Sequence, residues 1–137
     1  SGVNSGMMLA QYTAASLLSE AKGFAMPASI DNIPTVQHHE DHVSMGWGAG
    51  RKLEIVLDNV AKVLAIELLC AAEGVDHRAP LHPGAGTAAV HAVVREVVPP
   101  LTDDRPPGPA IEALVRAIGD GAVTAAVEPF RPGEPPR

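Results

Sequence analysis

A chain of 137 residues and 14.2 kDa is long enough for one domain with a core, and 46% apolar residues with only 3% aromatics predict alanine, valine and leucine packed between helices. A formal charge of −6 without any lysine or arginine cluster argues against a nucleic-acid footprint or an anionic membrane surface. No apolar run reaches the roughly 18 to 20 residues that a membrane span needs, and Cys70, the only cysteine, excludes an intramolecular disulfide and suits a core thiol in a reducing cytoplasm.

The chain opens on Ser-Gly without an initiating Met, which points to a start inside a longer protein. From Gly6 to about Ala25 the sequence is rich in Ala, Leu and Met, with no proline. Met7, Gln11, Ala14, Leu18 and Ala21 fall at helical spacing, and Asn4 or Ser5 would serve as N-cap. Met26 to Gln37 carries Pro27, Pro34, Asp31 and Asn32 and reads as irregular chain crossing the surface or a subunit boundary. A long helix is expected from about Asp41 or Ser44 to Glu73, with Leu53, Leu57, Val60 and Leu64 as its buried seam and Gly74 as its C-cap. Ile55, Val56, Val63, Ile66 and Leu69 widen the apolar face, so the helix should be central.

After Gly74 the composition shifts. Pro80, Pro83, Gly84 and Gly86 form a loop, Thr87 to Val98 reads as a shorter helix, Pro99 to Pro109 is proline-rich, Ala110 to Gly119 is another short helix, and Glu128 to Arg137 should fray. The expected organisation is all-α: residues 1–76 hold core bundle helices and the loop with the candidate site, and residues 77–137 hold peripheral helices and a Pro-rich tail. The first and middle helices carry apolar faces on several sides, which predicts that more protein covers them.

The densest chemistry lies at His38, His39, Glu40, Asp41 and His42. A zinc-protease pair needs one more residue between its histidines than His39 and His42 have, and His77, His82 and His91 stand at no recognisable interval, so no metal ligand set is assigned. The plain alternative is a helix start, with Glu40 and Asp41 at the positive end of the dipole and the histidines solvated.

Three strings carry more. They are VNSGMMLAQYTAASLLSEAK at Val3 to Lys22, PASIDNIPT at Pro27 to Thr35, and EDHVSMGWGAGRKL at Glu40 to Leu53. In this order and spacing the chain resembles the C-terminal part of a histidine ammonia-lyase, in the aromatic amino acid ammonia-lyase family, closely up to about Asp76 and loosely beyond. The resemblance implies the C-terminal part of the ammonia-lyase/aspartase-like helical fold, a homotetramer when complete, and conversion of L-histidine to trans-urocanate and ammonia in histidine catabolism.

By resemblance Glu40 lines the substrate pocket, where its carboxylate accepts the imidazole N–H of histidine; relatives acting on phenylalanine or tyrosine usually carry Gln there. His39 stands beside it at a position where many members have another polar residue. Asp41, His42 and Ser44 are expected to orient the turn and cap the long helix, and Asn4 to support the site or the tetramer core.

The reaction removes a weakly acidic proton and expels a poor leaving group, so it needs an electrophile. The family makes one, 4-methylideneimidazole-5-one (MIO), from an internal Ala-Ser-Gly. Here Ala28-Ser29 is followed by Ile30, and Tyr12, the only tyrosine, is expected to face the bundle without matching the catalytic one. No catalytic residue is assigned; MIO, the tyrosine base and the carboxylate-binding arginine are expected upstream, and the chain alone should be inactive. The alternatives are a non-catalytic helical oligomerisation fragment, or a lyase or aminomutase for another aromatic amino acid.

Overall fold

A computed structural model describes residues 4–30, 33–39 and 44–131. They form an all-α fold: α1 (Met8–Phe24), a 3-10 turn (Val36–His38), α2 (Gly46–Asp76), α3 (Ala85–Val97), α4 (Gly108–Gly119), α5 (Ala122–Val127) and a final 3-10 turn (Glu128–Phe130). The 31-residue α2 is the central element and packs on α1, α3 and α4, while α5 sits against α3 and α4.

The core gathers Ala10 from α1, Ala65, Ile66, Leu69 and Ala72 from α2, Val94 and Val98 from the α3 region, and Ile111 and Leu114 from α4. Leu69, Leu114, Val94 and Val98 are its largest fully buried side chains; burying one such aliphatic side chain contributes about 1.5–3 kcal/mol. Small residues at 10, 65 and 72 allow the helices to approach closely around them.

Four sequence expectations are corrected. The seam Leu53, Leu57, Val60 and Leu64 is exposed, Leu57 by 59%, and the buried side chains of α2 are Asn59, Ala65, Ile66, Leu69, Ala72 and Glu73. Ile66 lies two residues past Leu64, about 200° round the helix. Both faces are apolar, and α3 and α4 cover only the second. Tyr12, expected against the bundle, is 66% exposed for the same reason, together with Met8, Leu9 and Leu18 of α1.

Gly74 does not end α2. The helix runs to Asp76 with His77 as C-cap, because Asp76 is engaged from α3. A glycine within the last turn costs about 1 kcal/mol relative to alanine, less than those contacts return. Finally, neither Asn4 nor Ser5 caps α1: its N-cap is Met7 and makes no side-chain cap bond.

Candidate functional site

The segment that carries the candidate cluster leaves α1 at Phe24 and is tied down early: Lys52 Nζ, on α2, donates to Met26 O at 2.9 Å. A hollow of about 290 Å³ lies here between the end of α1 and the first turns of α2, lined by Phe24, Met26, Pro27, Ala49, Leu53 and Val56 among others. The chain then tightens into the 3-10 turn, where Val36 and Gln37 adopt φ 50° and 53°. A β-branched residue in the left-handed region is strained, at a cost on the order of 1–3 kcal/mol.

That strain lies immediately before the histidine pair. His39 is exposed; its backbone N–H donates to Val36 O at 3.0 Å and its ring Nδ1 lies 3.1 Å from the same carbonyl. A carbonyl only accepts, so Nδ1 is the donor in this contact. Glu40, Asp41 and His42 lie outside the described residues. Ser44 is exposed and does not cap α2, whose N-cap, Met45, has no side-chain cap bond.

Asn4 is exposed at the other end of α1. The two residues after it are engaged from far along the chain. Gly6 N donates to Asp104 Oδ1 at 3.1 Å and Oδ2 at 3.3 Å, and Ser5 N donates to Oδ2.

A second polar cluster joins α2 to α3. His91 Nε2 donates to Asp76 Oδ1 at 2.7 Å; Arg95 Nη2 lies 2.6 Å from Asp76 Oδ2 and 3.0 Å from Glu73 Oε1; and Leu101 N donates to Glu73 Oε1 at 3.1 Å. Burial on its own pushes the Asp76 carboxyl up, but the hydrogen bonds and charges of His91 and Arg95 outweigh it and hold the carboxyl below the usual carboxylate range. Sequence reading placed Glu73 only at a helix end and His91 among unplaced histidines. The signal was present: Glu73 and Asp76 are three apart on one helix, His91 and Arg95 four apart on another. The cluster fastens helices and borders an apolar hollow of about 340 Å³ lined by Leu68, Ala72, Val75, Val90, Val94 and Val127 among others.

The family model described as aromatic amino acid lyase matches residues 1–96. The chain belongs to the aromatic amino acid lyase family. Within it, the chain is 55% identical over 128 residues to the histidine ammonia-lyase of Sorangium cellulosum and 52% identical over 127 residues to that of Symbiobacterium thermophilum, covering 93% of this chain in each case. It spans only 25% of the length of either relative. Among solved structures it superposes on histidine ammonia-lyase from Trypanosoma cruzi with a TM-score of 0.92 at 43% identity, covering 96% of this chain and 26% of that one. A tyrosine aminomutase from Streptomyces globisporus gives 0.89 at 32% identity, covering 98% and 26%. The all-α fold expected from the sequence is shared with the matching quarter of these structures.

Proposed function

We propose that the chain is a segment of a histidine ammonia-lyase that, completed by its upstream part, converts L-histidine to trans-urocanate and ammonia. The observation that carries this reading is Glu40 within the string His39-Glu40-Asp41-His42-Val43-Ser44-Met45 of a chain more than half identical to relatives named for that activity. A carboxylate at Glu40 accepts the imidazole N–H of the substrate and stabilises positive charge on the ring, which a neutral amide does less well. His39 is the second polar group offered to the substrate, and Asn4, Asp41, His42 and Ser44 support the site.

The chain's own residues do not fit the family's electrophile, since it contains no Ala-Ser-Gly. MIO, the base and the carboxylate-binding arginine therefore belong to the upstream part, in a cytoplasmic homotetramer. In this reading residues 1–76 supply core helices and the active-site loop, and residues 77–137 brace them. A second reading, action on another aromatic amino acid, draws on the likeness to the tyrosine aminomutase.

The test joins the chain to its upstream part and compares kcat/KM for histidine and phenylalanine in the wild type and in Glu40→Gln. Losing a charge-assisted hydrogen bond of about 1.5–3 kcal/mol should lower the histidine value by about one to two orders of magnitude, and the phenylalanine value less. An unchanged ratio would remove Glu40 from substrate recognition. The 137-residue chain alone should produce no urocanate absorbance above background.

A further inference from the structure

We propose that Asp104 is a positioning residue: it holds the Asn4–Ser5–Gly6 turn at the entry to α1, and a proline-rich strap holds Asp104 there. Gly6 adopts φ +57°, which sets the N–H groups of Ser5 and Gly6 side by side in a concave pair suited to an anion. Among the described residues, the side chain that answers them is a distant one. The carboxylate of Asp104 fills the concavity from 98 and 99 residues away, with both oxygens engaged by Gly6 N and one also by Ser5 N. It lies at the positive end of a 17-residue helix, where negative charge is favoured.

The strap is built to present that carboxylate. Residues 99–109 include Pro99, Pro100, Pro106, Pro107 and Pro109, whose fixed φ restricts the alternatives open to the segment. Arg105 closes it on itself by donating to Pro100 O at 3.0 Å and to Pro99 O. Its base is pinned where Leu101 N meets Glu73, within the buried charge cluster at the end of α2. The end of α2 is thereby coupled through the strap to the start of α1. The clamp stands on this geometry alone; its effect on catalysis rests on the proposed function, because the turn it fixes carries Asn4.

Amide exchange in the 137-residue chain and kinetics of the completed enzyme test it together. Asp104→Ala should speed exchange at Ser5 and Gly6 at least tenfold and leave amides in the middle of α1 within about twofold. Asp104→Asn, which keeps one acceptor oxygen, should fall between. Sodium formate, compared with sodium chloride at equal ionic strength, should slow those two amides in Asp104→Ala and not in the wild type. In the completed enzyme the same variant should lose about tenfold in kcat/KM for histidine, with several-fold recovery in formate at unchanged melting temperature. Unchanged exchange at Ser5 and Gly6 overturns the clamp. Faster exchange with unchanged kinetics overturns the positioning role. A wild-type completed enzyme inactive on histidine defeats the proposed function instead, and the exchange result still decides the clamp.

Discussion

Arg95→Met isolates the buried charge cluster that fastens α3 to α2. The guanidinium is 13% exposed and faces Glu73 at 10% and Asp76 at 29%, with contacts of 3.0 and 2.6 Å, and it donates to Val98 O at 3.2 Å. Methionine keeps much of the volume and leaves Asp76 with His91, and the buried Glu73 with the Leu101 N–H, in place of a guanidinium. Breaking a buried pair costs about 3–5 kcal/mol; solvent reaches Asp76, so the lower end, about 3 kcal/mol, is expected. With an unfolding entropy of roughly 2.1 cal/mol/K per residue, that corresponds to a fall in Tm of about 10 °C. The loss should be largest near pH 8 and shrink toward pH 5, because carboxylates without their cation take up protons more readily. Urea unfolding followed by circular dichroism at both pH values measures this. Adding Glu73→Leu, which removes the stranded charge, should recover much of the loss. A cost below about 1 kcal/mol at pH 8, or equal costs at both pH values, would refute the reasoning.

In the wild type, Asp76 is held below its ordinary value, so its contribution is complete above about pH 4 and is lost as pH falls through the lowered folded-state value. The urea midpoint should therefore drop on acidification below pH 4, and drop less in Asp76→Asn. Burial, and then the neighbouring charge of Glu73, push the Cys70 thiol up, so alkylation at pH 8 should be slower than for a free thiol and accelerate in urea. The exposed stripe of Leu53, Leu57, Val60 and Leu64 should drive the isolated chain to self-associate. Sedimentation should show this, and Leu57→Lys with Leu64→Lys should restore a monomer of unchanged helicity; a monomeric wild type with a cooperative melt would count against it.

Helix type and order were legible because composition, spacing and proline placement agree along most of the chain. The expected and observed limits of α3 and α4 differ by at most two residues. The buried face of α2 was not legible: Leu57 and Ile66 are equally apolar, and only the placement of α3 and α4 decides which is covered. The turn before the histidine pair carried no local signal either, since Val36 and Gln37 are poor candidates for positive φ. For the site, sequence and resemblance pointed to Glu40, Asp41 and His42, which lie outside the described residues. The Asp104 contact to Ser5 and Gly6 is invisible to any local pattern, as it joins residues 99 and 98 positions apart.

The uneven burial of α2 also bears on the order in which the molecule consolidates. No side chain from Gly46 to Asp58 is buried, whereas six are buried from Asn59 to Glu73. A rod of about 46 Å is thus anchored at one end and bare at the other. Its distal half can nucleate with α3 and α4, through contacts close in sequence that form quickly, while the proximal half rests on the end of α1 and the segment that follows it. Hydrogen exchange along this one helix should trace that gradient, with the first turns of α2 the last to become rigid.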